Sequence, residues 1–428
     1  MNQEFTFPDG LHLLAKWQSG DPEARTRLMA LFDAALTGDL DTTFATPVPQ
    51  GRVHTTGSVH MIALAILHDL YGVESRSYYN TDPERYVRAN LTVGRLLGLD
   101  KPYMTWALYA FTCEAVGQTM MYPDRFPPGS DPDKVLINKE NWKSVTTPDF
   151  TTGVPAAITG ILRVTERLTG MAPLLQISAP YSLAADIYGQ EPLLADVVHD
   201  PDFVNALLDH LADRVLTPWI EHFISEFPNG WIELSDASGS PFFIGPENCK
   251  TMAIRAIQKM VKDKPWETRV FDANYRGDFV TQARQKTRGR RGRAATAPAS
   301  GISIEQLTNL KHSVCPKFII RLEADKVPVS FYQEQAIARG VPLTLGIGSG
   351  QVDSNSVGDL DAAKQEIRQT ASEYVAAIKA VCETTGWPDQ TIVKQPWPSH
   401  IYFEDISAES QFAMIEIIIR TVQENGVP

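Results

Sequence analysis

Two neighbouring stretches, Gln176-Ile-Ser-Ala-Pro-Tyr-Ser-Leu-Ala-Ala-Asp-Ile-Tyr-Gly189 and Trp231-Ile-Glu-Leu-Ser-Asp-Ala-Ser-Gly-Ser-Pro241, decide the fold. Each reads as a short apolar strand that ends in a loop of small residues carrying hydroxyls and a carboxylate, and a helical segment separates them. In a parallel α/β architecture that strand end is where ligands bind.

Outward from these two stretches, strands and helices alternate from about residue 155 onward. Strands are expected at Ala172–Ser178, Gly230–Leu234, Thr268–Ala273, Lys317–Leu322, Pro342–Gly346 and Gln390–Lys394. Helices are expected at Asp202–Glu226, Cys249–Lys262, Val329–Arg339 and Leu360–Thr385. Alternating βα units imply a parallel sheet, and right-handed crossovers close it most simply into a (β/α)8 TIM-type barrel. Residues 9–40 have apolar positions at helical spacing (Leu11, Leu14, Trp17, Leu28, Leu31, Leu36), and Pro47, Pro49 and Gly51 follow. The reading is therefore a helical N-terminal extension, 1–52, and a barrel, 53–428. A further helix is expected over Pro83–Leu97, capped by Asn80-Thr-Asp and closed by Gly98.

At 428 residues and 43% hydrophobic, the chain is long enough to bury a large core. A net charge of −12 argues against general nucleic-acid or anionic-membrane binding. Cys113, Cys249, Cys315 and Cys382 are far apart with no CxxC pair, which fits reduced thiols rather than a disulfide framework. Apolar runs such as Met61-Ile-Ala-Leu-Ala-Ile-Leu fall well short of the ~20 residues needed to span a bilayer. The start has no basic region followed by an apolar core. The expectation is a soluble, cytoplasmic protein.

One segment breaks the pattern. Arg276 to Ser300, read as an inserted loop at 276–300, carries seven Lys or Arg against one acid, Asp278. It reads either as a solvated surface loop or as a lid whose arginine forks clamp an anionic substrate. Among single residues, His400 suits acid–base work because its unperturbed pKa lies nearest neutrality. Its alternative role is a hydrogen-bonding loop histidine. Asp236 is followed by small residues that admit a ligand, and its alternative is to cap the next turn. Asp186 stands near a helix start, where a cap competes with a catalytic role. Asp272 and Asn274, two residues apart on a strand, point to one face. With Glu323 and Asp325 they would make an oxygen-rich site, read here as substrate-binding rather than metal-binding. His312 and Cys315 form a lone HxxC pair, read as packing. Gly346-Ile-Gly-Ser-Gly350 lacks the Gly-Lys-Ser/Thr ending of a phosphate loop. Tyr181, Tyr188, Trp397 and Tyr402 are candidates to wall an apolar pocket.

Several motifs resemble the uroporphyrinogen decarboxylase superfamily, which holds porphyrinogen decarboxylases and corrinoid or coenzyme-M methyltransferases on one barrel fold. The resemblance spans roughly residues 80–425. Glu114-Ala-Val-Gly117 matches the family's Ala-x-Gly ending. Pro180-Tyr-Ser-Leu183 resembles a Pro-Trp-Thr-Leu strand end, and Ser235-Asp-Ala-Ser-Gly239 resembles a Phe-Asp-Ser-x-Ala-Gly loop. Gly350-Gln-Val-Asp353 is similar to a Gly-Asn-Val-Asp turn. His400-Ile-Tyr-Phe-Glu-Asp-Ile-Ser-Ala-Glu409 has the spacing of the decarboxylases' active-site histidine segment. The resemblance thus implies a site role for His400. It sets Asp186 at the decarboxylases' tyrosine, Leu108 at their aspartate and Ala237 at their serine. Their arginine-rich N-terminal loop is absent. The methyltransferases' zinc-binding His-x-Cys strand end falls on Asp272 and Asn274, which are not thiolate ligands.

The resulting expectation is a cofactor-independent decarboxylase or related lyase acting on a small anionic or aromatic acid. Asp236, His400 and Asp186 are the catalytic candidates. Tyr181, Ser238, Asp272, Asn274, Arg276, Glu323 and Asp353 are the substrate-binding candidates, with no metal, no nucleic acid and no membrane. A corrinoid- or thiol-dependent methyltransferase and a non-catalytic ligand-binding barrel are the alternatives. The family resemblance is compatible with a homodimer.

Overall fold

The computed structural model describes residues 9–45, 47–80, 82–271, 303–322, 327–353, 358–389, 394–396 and 400–427. The expected strand Gln390–Lys394 falls largely outside these residues, as does the basic loop 276–300.

Among the described residues, seven parallel strands form two ladders. One has the order β1 (Thr55–Gly57), β9 (His400–Phe403), β8 (Leu343–Ile347) and β7 (Ile319–Arg321). The other has the order β4 (Leu174–Ser178), β5 (Trp231–Ser235) and β6 (Val270–Phe271). A separate antiparallel pair joins β2 (Met120–Met121) to β3 (Gly129–Ser130). Every residue of β4, β5 and β8 is buried. This is the burial expected of parallel strands covered on both faces. The architecture is the α/β barrel that the alternation predicts, with an open ladder among the described residues.

The first opening lies between β1 and β4, and residues 100–106 fill it. Asp100 N and Lys101 N donate to the Thr55 carbonyl at 3.1 and 3.2 Å, and Thr56 Oγ1 donates to the Lys101 carbonyl at 3.0 Å. Beyond it, Tyr103 reaches across to Glu233 on β5. This segment is the eighth stave alongside the seven parallel strands. The second opening lies between β6 and β7, which flank positions 272–302.

Two of the expected helices begin on side-chain caps. Asp82 accepts from Arg85 N ahead of helix Pro83–Leu96, and Asp359 accepts from Asp361 N and Ala362 N ahead of helix Leu360–Thr385. Helix Val329–Arg339 closes on Gly340 in the left-handed region. The single helix expected over Asp202–Glu226 is interrupted by a π-turn at Ala212–Leu216. Pro218 has no N–H to offer the Arg214 carbonyl, and Thr147 Oγ1 donates to that carbonyl instead at 2.8 Å. Helices Gly10–Gln18 and Pro22–Leu36 bury Leu14, Leu28 and Phe32 in the same apolar cluster as the barrel. Among the described residues no helix is long and apolar enough to cross a membrane.

Candidate active site

Along β4 and β5 the side chains alternate, so Gln176 and Ser178 on one strand and Glu233 and Ser235 on the next share the barrel's inner face. Register pairs Gln176 with Glu233 and Ser178 with Ser235. These four residues, with Ala237 and Ser238 from the loop after β5, line a cavity of about 320 Å³. Ser58 after β1, Tyr103 and Thr105 from the eighth stave, and Tyr402, Glu404 and Asp405 from the end of β9 complete much of its wall. The cavity therefore occupies the C-terminal ends of the strands, where the sequence placed it. Among the described residues no Lys or Arg lines it.

Glu233 is the most constrained acid in this wall. It is 2% exposed, and its Oε2 accepts from Tyr103 Oη at 2.5 Å and from Gln176 Nε2 at 2.9 Å. Burial pushes its carboxyl up to about 7, against the opposing pull of those two hydrogen bonds. Asp186 projects from helix Pro180–Tyr188 into the same cavity, and desolvation pushes its carboxyl up to about 7 as well. His60 is buried, and desolvation pushes its imidazole down to about 3, so it is neutral at physiological pH. Its Nδ1 pairs with Tyr79 Oη at 2.6 Å, and the ring lines the cavity. Burial thus raises the carboxyls of Asp186 and Glu233 and lowers the imidazole of His60 in the same site.

Of the residues singled out in the sequence, Asp186, Ser238 and Tyr402 line this cavity, together with Leu108 and Ala237 at the positions the resemblance marks. Asp236 does not. It is fully buried, and its Oδ1 accepts from Ser182 N at 3.1 Å and Ser182 Oγ at 2.9 Å, which ties the loop after β5 to the first turn of helix Pro180–Tyr188. Ser238 N donates to the same Ser182 hydroxyl at 3.2 Å. The capping alternative describes Asp236, although the helix it caps precedes it in the chain. Tyr181 is buried behind the loop and does not line the cavity. Asp353 forms an isolated bridge with Ser410, away from the cavity wall. Asp272, Asn274, Arg276 and Glu323 lie outside the described residues.

His400 is the clearest correction. It is the first residue of β9, paired with Thr344 near the start of β8, so it lies at the N-terminal end of the strands, opposite the cavity. It is fully buried, with φ of 64°, and stacks on His54 at 5.0 Å between ring centroids. His54 N donates to its Nδ1 at 2.9 Å, and Cys382 Sγ stands 3.8 Å from its Nε2. Burial first, then the charges of His54 and Lys101, hold its pKa well below the usual histidine value. It packs the barrel floor.

Glu233, Gln176, Tyr103 and His60 were not singled out in the sequence. A signal for the first two was present: polar residues at alternate positions of otherwise apolar strands, Gln176-Ile-Ser178 and Glu233-Leu-Ser235. In a barrel strand such positions face inward.

The family model for uroporphyrinogen decarboxylase matches residues 71–314. Among solved structures, a methyltransferase from Methanosarcina mazei is similar with a TM-score of 0.58 and 14% identity, covering 94% of this chain and 98% of that one. At that identity the likeness concerns the fold alone. No curated protein matches at the sequence level.

Proposed function

This chain belongs to the uroporphyrinogen decarboxylase family, and from that premise we propose that it is a decarboxylase-type carbon–carbon lyase acting on a small acid rather than a porphyrinogen. The observation that carries this reading is the placement of Asp186 and Glu233 on one strand-end cavity, each carboxyl pushed up to about 7 by burial. Ligand pockets run from roughly 300 to 1,000 Å³, so this cavity suits a small substrate.

In this reading the carboxylate leaves as CO₂, the electrons of the broken carbon–carbon bond stay on the substrate, and Asp186 supplies the proton that fills the vacated position. Solvent then returns a proton to Asp186. Both hydrogen bonds to Glu233 fall on Oε2, which leaves Oε1 to carry its proton toward the substrate. A carboxylate held in a desolvated pocket among acids gains from losing its charge. Neutral His60 and the hydroxyls of Ser178, Ser235 and Ser238 orient the bound acid.

The methyltransferase reading is the alternative, favoured by the shared fold with the Methanosarcina mazei methyltransferase. A zinc–thiolate centre does not fit the described wall, because none of the four cysteines lines the cavity and all four are buried.

The test is incubation with small aromatic and aliphatic acids labelled with ¹³C at the carboxyl, in D₂O. The expected result is ¹³CO₂ release with one deuteron gained at the vacated carbon. No release, together with methyl transfer from a methyl donor to a thiol or a corrinoid protein, would replace this reading with the alternative.

A further inference from the structure

We propose that the ligand of the strand-end cavity carries a protonated amine, held by the acids and aromatic rings that line the cavity near the end of β9. The inference rests on the reading of this cavity as the substrate site, and it names what the substrate carries besides its carboxylate.

Four carboxyls line the cavity: Asp186 on helix Pro180–Tyr188, Glu233 on β5, and Glu404 and Asp405 directly after β9. Three separate elements thus bring acids to one small space. A small acid bound among them gains little from its own carboxylate, which meets like charge. The group that holds it lies elsewhere on the molecule.

The rings indicate what that group is. Tyr103, Trp106, Tyr109 and Tyr402 line the same cavity. The rings of Tyr103 and Tyr402 meet edge to face with centroids 5.3 Å apart, and both residues are buried, as is Trp106. Aromatic faces attract cations, the more so where water is excluded. Tyr109 is pushed up to about 12 first by burial and then by the charges of Asp405 and Asp186, so its ring stands near both acids.

A third observation calls for an N–H donor. Gln176 is fully buried on the inner face of β4. Its Nε2 donates to Glu233, while its Oε1 has no hydrogen-bond partner among the described residues. Ser178 Oγ, two residues along the same face and equally buried, has none either. A buried acceptor left unpaired is costly. An ammonium group brings several N–H donors to such acceptors, and a carboxylate brings none.

Benzylamine, protonated at pH 7, is the probe, with benzyl alcohol as its uncharged counterpart. Binding is read by calorimetry and saturation-transfer NMR on the full chain. Benzylamine should bind the wild-type protein about tenfold more tightly than benzyl alcohol. Ala237→Leu, which narrows the cavity, should abolish binding of both. Asp405→Asn keeps an oxygen for Ser58 Oγ, which donates to Asp405 Oδ1 at 3.3 Å. It should weaken benzylamine by about tenfold and leave benzyl alcohol unchanged. Thermal midpoints check that both variants are folded. Benzylamine binding no tighter than benzyl alcohol in the wild type, a comparison that needs no variant, would overturn the proposal. Benzylamine binding that survives in folded Ala237→Leu would do the same. Benzylamine has no carboxylate to lose, so its binding is read apart from the ¹³CO₂ assay. A lyase without an amine subsite fails here alone, and an amine-binding pocket without lyase activity fails there alone.

Discussion

Tyr103 Oη donates a 2.5 Å hydrogen bond to Glu233 Oε2, spanning from the eighth stave to β5 inside the barrel. The bond joins a segment outside the strand ladders to the most deeply held acid of the cavity. It lowers the Glu233 pKa, yet burial prevails and the carboxyl titrates near 7.

A carboxyl whose folded-state pKa is raised keeps its proton in the native chain after the unfolded chain has lost it. Stability associated with Glu233 is therefore full below about 4.5 and is lost as pH rises toward 7. Glu233→Gln keeps the volume and an acceptor for Tyr103 and removes that cost. It should stabilise the protein at pH 8 by up to about 3 kcal/mol and leave it unchanged at pH 4. Urea titrations at the two pH values check this, and equal effects at both would contradict it.

Asp186 as the proton donor must be protonated to act. Turnover in the ¹³CO₂ assay should fall above about pH 7, following the raised carboxyl. Asp186→Asn should lower the rate by on the order of 10²–10⁴. The alkaline limb of the residual activity should then follow Glu233 alone, and adding Glu233→Gln should remove it.

Asp236 acts on the site through Ser182. Asp236→Ala removes the acceptor for two donors and should cost about 1–3 kcal/mol. Asp236→Asn retains an oxygen for Ser182 and should recover most of that loss. Gly239→Ala should also destabilise, since its Cβ would stand 2.5 Å from Asp236 Oδ2. Thermal midpoints of the three variants rank the effects, and a neutral Asp236→Ala would refute the tie.

His400→Ala should lower stability by about 1–3 kcal/mol through the loss of its contacts with His54, while the rate per folded molecule stays at the wild-type value. A rate loss that outlasts correction for folded fraction would restore His400 to the chemistry. Because its folded pKa is held below the usual value, stability is full above about 6.5 and falls as pH drops below that, where the unfolded chain binds the proton first. The variant should be less sensitive to acid over that window.

Local signals were legible wherever neighbours in the chain decide the structure. Helices Val329–Arg339 and Leu360–Thr385 have the bounds expected from the alternation of strands and helices. β4, β5 and β8 appear where short apolar runs precede small residues, because a strand covered on both faces has little room for polar groups. The strand-end location of the cavity follows from the same runs, and Asp186 and Ser238 were found through it.

What the sequence determined by itself was the alternation of elements, hence the fold class, and the end of the barrel that faces a ligand. The tertiary structure decided which polar residues stand at that end and in what ionisation state. Motif spacing placed His400 with the site, but the register of β9 on β8 puts it opposite Thr344 at the barrel floor. Glu233 looks in sequence like one acid among many. Only the strands closing around it strip its water, and desolvation depends on atoms brought together from across the chain. Spacing along the chain therefore does not encode it.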